Sequence, residues 1–426
     1  MKILISAYAC NPYVGSEPGV GWAAVRRIAR KHDVVVLTGG RARHDLKRAR
    51  KEGLIPENVR FVHLEEVAEF HPNRFLARLQ NWMRYRAFNQ RVLAEAVKLH
   101  EREAFDLCHQ VTIAGWRMPS PLWQLPIPFV WGPIGGAGEI PGPFRTMLSP
   151  SARLFERMRD ANTAWVSRSR VFRQCAQHAS HIFAANQETL EFLKPFRHGG
   201  PITRLPIASI PTEKAEKFSR APRAPDPSQP LRLFAGGNME GRKGGSLALK
   251  ALARLKQQGA DFHYTIGGGG PDIPALKTLA QSLGIAEQVT FHDGFSGDDY
   301  LQALWDSDVY FLPSFRESTP VTLLEACLAG CYPVVADTSA QGEIVGLTGG
   351  SAVPVETVDG LVQGMAKALW WCHTHRDEMA ATGREAAARI AKEFSADLYD
   401  QALDEVYSAA CEHSEQMDGS DLRLSD

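Results

Sequence analysis

Short apolar runs alternate with helical segments along the whole chain of 426 residues. In the first half the runs that predict strands are 2–6, 33–37, 59–62, 107–110, 129–131 and 181–185. In the second half they are 231–235, 262–266, 289–292, 309–312, 332–336 and 351–353. Strands separated by helical patterns indicate βαβ units and parallel sheets. Because single cores stop growing beyond about 250–300 residues, the sequence predicts an α/β protein of two domains.

A proline-rich stretch divides the chain. Residues 221–230 contain four prolines, and a segment of this kind forms neither a helix nor an inner strand. We therefore expect a first domain over residues 1–205 and a second over residues 206–390. The polar end of the chain, residues 413–426, is expected to fray, as exposed termini commonly do.

Two carboxylates eight residues apart, Glu317 and Glu325, flank the point where the predicted strand 309–312 gives way to a helix. Pro320 suits the first helical turn, because its missing N–H would be unpaired there anyway. If the helix begins near Thr319 or Pro320, its first amides face outward and attract phosphate; these belong to Val321, Thr322 and Leu323. Carboxylates accept hydrogen bonds from sugar and ribose hydroxyls. The segment therefore predicts a sugar-nucleotide site, and its plainer alternative is a connection with two solvated glutamates.

The spacing of Glu317 and Glu325 resembles the E-x7-E signature of the family 4 retaining glycosyltransferases. The resemblance continues in order and spacing across residues 231–345, through the segments 232–237, 242–245, 265–271, 289–295 and 330–336. In the first half it is looser and rests on residues 1–6, the glycine-rich loop 15–21 and His109. It implies the GT-B fold, in which two Rossmann-like domains face each other across a cleft. It also implies that a final helix, residues 391–412, returns to the N-terminal domain.

The resemblance implies an acceptor-binding first domain and a nucleotide-sugar-binding second domain, with roles for individual residues. Glu325 would hold the ribose hydroxyls of the donor, and Glu317 its sugar. Lys243, Arg242 and the helix amides would neutralise the diphosphate. The other implied donor-site residues are Gly236, Gly237, Thr319, Pro320, Val321, Thr322 and Leu323. The loop with Gly15, Ser16, Glu17 and Gly19 would face the acceptor and the donor phosphate. His109 would position the sugar, so His109, Lys243 and Glu317 are the expected catalytic residues.

One position departs from the family pattern. The family has an arginine six residues before its lysine, where this chain has Gly237. Arg242 is the candidate for the missing charge, although its register differs. Other interpretations stay open: a sugar-nucleotide epimerase, a phosphorylase, or a non-catalytic scaffold of a polysaccharide assembly complex. The E-x7-E unit with its preceding lysine speaks against the epimerase, and no cofactor-attaching lysine motif supports the phosphorylase.

No cofactor and no metal ion are expected. The substrate would be a nucleoside diphosphate sugar of unknown base, whose phosphate charge lysine and helix amides would carry. The segment Asp306-Ser307-Asp308 is similar to the D-x-D metal motif of the other glycosyltransferase fold. It leads directly into the strand 309–312, however, and Asp308 is more simply interpreted as a residue that starts this strand. A hydrolysing serine elbow and a P-loop are both missing from the sequence.

The cysteines and the apolar runs predict a reduced, cytoplasmic protein. The seven cysteines form no C-x-x-C pair, and most lie in apolar segments, where a free cysteine behaves as a small hydrophobe. Residues 1–6 are too short for a signal segment and run into a predicted strand. No apolar run reaches the ~20 residues that span a bilayer.

Charge is distributed unevenly between the halves. Residues 1–205 carry 30 Lys and Arg against 17 Asp and Glu, whereas residues 206–426 carry 18 against 31. Within the basic half, residues 74–91 combine five arginines with aromatic and apolar residues and contain no acid. Basic amphipathic helices lie in lipid interfaces, so an anionic membrane surface and a lipid-linked acceptor form one hypothesis, and an ordinary core-packing helix forms the other. No nucleic-acid partner is expected.

Overall fold

The computed structural model describes residues 1–64, 74–218, 226–295 and 297–421, and for residues 74–79, 81–82 and 413–421 it describes the backbone alone. The chain forms two compact units. The first unit comprises residues 1–137, 161–207 and 399–426, and the second comprises residues 138–160 and 208–398.

Each unit is built on one parallel sheet, as the alternation of strands and helices predicts. The sheet of the first unit has the order β3-β2-β1-β4-β5-β6-β7, and that of the second has the order β10-β9-β8-β11-β12-β13. The strands are β1 (Lys2–Ala7), β2 (Asp33–Gly39), β3 (Val59–Leu64), β4 (Leu107–Thr112), β5 (Phe129–Ile134), β6 (His181–Ala184), β7 (Ile202–Arg204), β8 (Leu231–Gly236), β9 (Phe262–Gly267), β10 (Val289–His292), β11 (Val309–Leu312), β12 (Tyr332–Ala336) and β13 (Ser351–Val353). The twelve predicted strands are present, and β7 was missed because it has three residues, two of them exposed.

α-Helices connect successive strands, except that a 3-10 helix, Pro121–Gln124, lies between β4 and β5. They are α1 (Glu17–Ile28), α2 (Arg43–Lys51), α3 (Arg74–Glu103), α4 (Gly142–Arg145), α5 (Pro150–Arg168), α6 (Arg170–His178), α7 (Gln187–Arg197), α8 (Thr212–Phe218), α9 (Gly245–Gln257), α10 (Ile273–Ser282), α11 (Gly297–Trp305), α12 (Val321–Leu328), α13 (Ser339–Thr348), α14 (Val358–Thr374), α15 (Arg376–Glu393) and α16 (Ala396–Asp421). Parallel pairing throughout requires such crossovers. The predicted α/β class with two Rossmann-like sheets is therefore confirmed.

The core of the first unit includes part of the last helix, α16. Tyr399, Leu403 and Tyr407 of this helix are buried beside the apolar residues of β1 and β2. Asp400 accepts a hydrogen bond of 2.8 Å from Arg27 of α1. Arg30 and Lys31 form further ion pairs with Asp400 and Asp404 of this helix. Exposed pairs of this kind stabilise little, so the burial of the three apolar side chains contributes more to holding the helix on the sheet.

The second unit recruits residues 138–160, which precede the predicted boundary near residue 205. Phe144 and Leu148 belong to its hydrophobic core. The ring of Phe144 lies 4.8 Å from that of Phe315, in the loop after β11. A boundary drawn from the proline-rich stretch does not include this segment, because its packing depends on side chains far along the chain, such as Phe315, which lies 171 positions after Phe144.

Candidate functional site

Strand order reverses between β8 and β11 in the second unit. Ligands of open parallel sheets bind beyond the carboxyl ends of the strands at such a switch point. The loop after β8 contains a 3-10 turn, Gly241–Lys243, and the loop after β11 leads to α12. These two loops carry most of the residues that the sequence predicts for the donor site.

One oxygen of the Glu317 carboxylate accepts three hydrogen bonds. Its Oε1 accepts hydrogen bonds from Lys243 Nζ at 2.5 Å, Ser314 Oγ at 2.7 Å and Arg242 Nη1 at 3.2 Å. The side chains of Glu317 and Lys243 are each 11 % exposed. Burial alone would raise the pKa of Glu317, but the charges of Lys243 and Arg242 and the hydrogen bonds from Lys243 and Ser314 lower it below its ordinary value. Glu317 is therefore ionised at neutral pH.

The two loops hold each other in place through the backbone. Phe315 N donates to Arg242 O at 2.8 Å, and Arg242 Nη1 donates to Arg316 O at 2.7 Å. Arg242 Nε also donates to Glu240 at 2.7 Å. From the other side, Thr338 Oγ1 donates to Ser314 O at 2.9 Å. Because these bonds hold the two loops together, Arg242 and the loop that carries Glu317 keep their mutual positions.

Gly237 directly follows β8 and has φ +114°, in the region that only glycine adopts without strain. A Cβ built there would lie 3.7 Å from Lys243 Nζ. An arginine at position 237, as in the family, would thus lie beside Lys243, but a residue with a side chain is strained at this φ angle. Arg242 reaches the same Glu317 oxygen as Lys243 from the neighbouring turn position. The preceding residue, Gly236, approaches α12 so closely that a Cβ would lie 2.5 Å from Thr322 Cγ2.

Helix α12 begins at Val321, one to two residues after the predicted start. Two of the three amides that were expected to face a ligand already have partners. Val321 N donates to Thr319 O at 3.0 Å, and Leu323 N donates to Pro320 O at 3.0 Å. The prediction of three free amides is therefore wrong in this structure, because the tight turn at Pro320 uses them internally.

Glu325 lies in the second turn of α12, and both of its oxygens have partners. Lys214 Nζ of α8 is 2.5 Å from Oε1, and the hydroxyl of Tyr300 on α11 donates to Oε2 at 2.6 Å. Burial, followed by the charge of Glu325, raises the pKa of Tyr300, so this hydroxyl stays protonated. Neither Lys214 nor Tyr300 was predicted from the sequence, since they lie 111 and 25 positions away and share no spacing pattern with Glu325.

A buried ion pair supports the loop that carries Glu317. Both Nη atoms of Arg316 donate to the carboxylate of Glu156 on α5, at 2.8 and 2.9 Å. Their side chains are 13 % and 6 % exposed. Arg159 lies 3.9 Å from the same carboxylate and donates to Gly138 O at 2.6 Å. Sequence analysis missed Glu156 because 160 residues separate it from Arg316.

His109 is enclosed in the first unit and is 1 % exposed. Its Nε2 lies 2.6 Å from Gly132 O, and its Nδ1 lies 2.6 Å from the hydroxyl of Tyr407. Since a carbonyl only accepts, Nε2 carries the proton, and the tyrosine hydroxyl donates to Nδ1. Burial lowers the pKa of His109 to about 4. With both nitrogens used inside the unit, His109 is a structural residue here, and the prediction that it contacts a donor sugar is not supported.

Hydrogen bonds join the loop after β1 and the start of α1 to α2 and to the residues that follow β4. Asn11 Nδ2 donates to Asp45 at 2.7 Å. Glu17, the first residue of α1, accepts a hydrogen bond of 2.6 Å from Ala114 N. Burial raises the pKa of Glu17, and this hydrogen bond acts in the opposite direction. Gly21 is required by packing, since a Cβ would lie 2.0 Å from Ala9 O. The role of Gly15, Ser16, Glu17 and Gly19 as acceptor-loop residues stays a prediction.

The Asp308 carboxylate binds arginines of the second unit. Arg232 donates to it from Nη2 at 2.8 Å and from the backbone N at 2.9 Å. Arg376 lies 3.6 Å away. Asp308 thus joins the start of β11 to β8 and α15, which agrees with its interpretation as a strand-start residue.

The described part of the basic segment 74–91 divides between core and surface. Tyr85 and Phe88 of α3 are buried in the first unit's core. Arg84, one of the five arginines of the segment, is only 6 % exposed, so its side chain does not lie on the surface. Met83 is 50 % exposed. For Phe75, Leu79 and Trp82, apolar residues of the same segment, the structure describes the backbone alone. Among the described residues, no helix is long and apolar enough to cross a membrane.

Residues 217–386 match the family described as glycosyl transferases group 1. The chain is 29 % identical over 243 residues to the putative colanic acid biosynthesis glycosyltransferase WcaL of Escherichia coli, which covers 51 % of this chain and 59 % of that protein. It is 29 % identical over 192 residues to the amylovoran biosynthesis glycosyltransferase AmsK of Erwinia amylovora, covering 42 % and 46 %. The chain thus spans about half the length of the curated relatives it matches.

The structure is similar to that of Anabaena HepE in complex with UDP, with a TM-score of 0.63 and 18 % identity over 96 % of this chain and all of that chain (100 %). It is also similar to sucrose-phosphate synthase from Thermosynechococcus elongatus, with a TM-score of 0.64 and 16 % identity over 96 % and 98 %. At these identities the likeness establishes the fold, and the predicted GT-B fold is confirmed.

Proposed function

Residues 217–386 belong to the group 1 glycosyltransferases, and we propose that this protein transfers a sugar from a nucleoside diphosphate donor to an acceptor hydroxyl. The observation that carries the proposal is the convergence of Lys243, Arg242 and Ser314 on one oxygen of Glu317 at the switch point of the second sheet. The base of the donor is unassigned, and the UDP in the HepE complex makes UDP the first probe.

The charge balance of the site suggests how the donor is bound. Lys243 and Arg242 are offset by Glu317 and Glu240, so these four side chains together are close to neutral. A diphosphate brings a stronger anion, and it competes with Glu317 for the two cations. When Lys243 turns to the phosphate, the Glu317 carboxylate keeps its bonds from Ser314 and Arg242 and accepts a hydrogen bond from a hydroxyl of the donor sugar in place of the one from Lys243.

In the proposed mechanism the leaving diphosphate gains charge in the transition state. Fixed cations at that position stabilise the transition state more than the ground state, which is the source of most electrostatic catalysis. Lys243 and Arg242 take this role, together with the dipole of α12. Transfer with retention of configuration and without a metal ion is part of the proposal, as the family 4 resemblance implies.

The test compares nucleotide binding with transfer in two variants. Lys243→Ala removes a phosphate ligand, so both UDP binding and donor turnover should fall. Glu317→Gln removes the anion that competes for the cations, so UDP binding should hold or tighten while turnover falls. Lys367→Ala, an exposed lysine on α14, is the control. Thermal shift measures binding, and release of UDP from UDP-sugars measures turnover. Full turnover in both variants would contradict the assigned site.

A non-catalytic scaffold is the second candidate, and Gly237 in place of the family arginine is the observation that favours it. A scaffold binds nucleotide sugar without consuming it. Purified protein that binds UDP-sugar but shows neither transfer nor donor hydrolysis would support the scaffold. Because the curated relatives act in colanic acid and amylovoran biosynthesis, growing polysaccharide chains and their lipid-linked precursors are the acceptors to assay first.

Peripheral binding to an anionic membrane surface, on the cytoplasmic side, is also part of the proposal. Helix α5 exposes Leu154 by 57 % and Met158 by 47 %, one helical turn apart. Arg153 and Arg157 are exposed beside them. Apolar side chains inserted between lipid headgroups, with arginines at the phosphates, are typical of interfacial helices. This face is free of the core contacts that bury Tyr85 on α3.

Cosedimentation with vesicles containing phosphatidylglycerol, at low and high salt, tests the membrane proposal. The double variant Arg153→Glu, Arg157→Glu should lose salt-sensitive binding. Arg384→Glu with Arg389→Glu, on exposed positions of α15, makes the same change in net charge elsewhere and should bind as the unmodified protein does. An equal loss of vesicle binding in both double variants would show a non-specific charge effect. If the unmodified protein does not bind vesicles, the membrane proposal is wrong and the acceptor to assay is a soluble one.

A further inference from the structure

Residues 138–160 of the second unit pack against both loops of the proposed donor site. Phe144 of α4 lies beside Phe315 in the loop after β11, with ring centres 4.8 Å apart. Leu148 lies beside Gly241, the first residue of the 3-10 turn after β8, so closely that a Cβ on this glycine would be 2.6 Å from Leu148 Cδ2. Both loops therefore rest on one segment of the chain.

Arg316, the residue before Glu317, is attached to two elements at once. Its carbonyl accepts a hydrogen bond of 2.7 Å from Arg242 Nη1 of the 3-10 turn. Its side chain donates from both Nη atoms to the carboxylate of Glu156 on α5, at 2.8 and 2.9 Å. A bidentate pair of this kind fixes direction as well as distance. The backbone next to Glu317 is therefore held both at the carbonyl of Arg316 and at the end of its side chain.

Glu156 is buried and is itself held by its surroundings. Arg159, one turn further along α5, lies 3.9 Å from its carboxylate and donates to Gly138 O at 2.6 Å. Arg145 of α4 donates to Ile140 O at 2.8 Å. Because these bonds join the start of the segment to its two helices, the carboxylate reaches Arg316 from a fixed position.

The backbone carbonyl of Glu317 has a weaker anchor. It accepts a hydrogen bond from Ala340 N at 3.3 Å, which is beyond the usual length of such bonds. The pair of Arg316 with Glu156 is shorter, and charge-assisted hydrogen bonds are roughly twice as strong as neutral ones. Of these two contacts, the pair with Glu156 therefore restrains the loop more.

We infer that Glu156 is a positioning residue for Glu317, and this rests on the proposed function. Donor binding draws Lys243 away from Glu317, so the carboxylate loses one of its restraints when it has to meet the sugar. The pair of Arg316 with Glu156 lies outside this exchange and continues to hold the loop. Glu156 thus acts through Arg316 without touching the donor. Misplacement of a reacting group by about 1 Å can lower a rate about 10²-fold, which sets the size of the expected effect.

The double variant Glu156→Leu, Arg316→Met tests the inference, because it removes the directed pair and keeps the space filled. Apolar replacements of a buried pair are often neutral for stability, so this variant should recover most of the melting temperature that Glu156→Leu alone loses. Leucine and methionine form no directed bonds, so kcat for nucleotide release should still fall by about 10- to 100-fold. The affinity for the free nucleoside diphosphate, which has no sugar for Glu317 to hold, should stay the same.

Arg316→Lys is the second variant, and it keeps a charge opposite Glu156. Because a lysine offers a point charge in place of the bidentate fork, kcat should fall by less than in the double variant, again at unchanged nucleotide affinity. The control Glu385→Leu, Arg389→Met makes the same two replacements at an exposed pair of α15 and should change neither quantity. The assay uses the UDP-, GDP- or ADP-sugar that the unmodified protein turns over fastest, and calorimetry with the matching nucleoside diphosphate gives the affinity.

The outcomes separate this inference from the proposed function. Unmodified protein that neither binds a nucleoside diphosphate nor releases one from its sugar would overturn both. Full kcat in the double variant and in Arg316→Lys, with active unmodified protein, would overturn the inference alone. A fall in kcat that is matched by an equal fall in nucleotide affinity would also overturn it, since Glu156 would then support the whole site rather than Glu317. A lower kcat at unchanged affinity in either variant, with an unchanged control, supports the inference.

Discussion

The ion pair between Glu156 and Arg316 yields a stability prediction whose size follows from its geometry. The pair is bidentate, at 2.8 and 2.9 Å, and nearly buried. Burial by itself would raise the pKa of Glu156, but Arg316 outweighs this effect and lowers it. Glu156→Leu leaves Arg316 and Arg159 without their common counter-charge. Removal of one partner from a buried pair costs about 3–5 kcal/mol.

The double variant distinguishes a charge effect from a loss of packing. In Glu156→Leu with Arg316→Met both charges are gone, and apolar replacements of a buried pair are often neutral or stabilising. We therefore expect the double variant to be more stable than Glu156→Leu alone. Glu385→Leu is the matched control, because Glu385 is 68 % exposed and its contact with Arg389 is 3.9 Å. Such surface pairs contribute less than about 1 kcal/mol.

Differential scanning calorimetry measures the effect. In a domain of 150–250 residues each 1 kcal/mol shifts the melting temperature by about 2–4 °C, so Glu156→Leu should lower the transition of the second unit by about 6–20 °C. Hydrogen exchange of the amides at 313–320 assigns the change to this unit. The reasoning is refuted if Glu156→Leu lowers the melting temperature no more than Glu385→Leu does. It is also refuted if the loss of stability in the double variant equals the sum of the losses in Glu156→Leu and Arg316→Met measured separately.

Three further predictions concern turnover, metal ions and pH. Lys243→Ala should lower donor turnover about 10²-fold or more, measured by UDP release, while Lys367→Ala should not. Transfer should persist in excess EDTA, and a loss restored by manganese would revive Asp306-Ser307-Asp308. The pKa of His109 is about 4 in the folded state, whereas that of a histidine in an unfolded chain is about 6.5. Neutral His109 therefore stabilises the fold fully above pH ~6.5, and up to ~3 kcal/mol is lost as the pH falls to ~4. The melting temperature should therefore depend less on pH for His109→Gln than for the unmodified protein. The same dependence of melting temperature on pH in both proteins would contradict the assignment.

The strands and the convergence of Lys243 with Glu317 could be predicted from the sequence because both depend on local patterns. Apolar runs such as 231–235 and 309–312 become inner strands, since their burial follows from the run itself. Lys243 and Glu317 each follow such a strand directly. Parallel strands bring their carboxyl ends to one edge of a sheet, so residues 74 positions apart in sequence come within 2.5 Å.

The partners of these residues were decided by the tertiary structure. A histidine at a strand end could serve a ligand or the core, and α16 decided this for His109 by placing Tyr407 against its Nδ1. The turn at Pro320 likewise used amides that the sequence left free. Lys214, Tyr300 and Glu156 come from elements distant in sequence. Burial and hydrogen-bond saturation depend on which elements pack together, and no spacing along the chain encodes that packing.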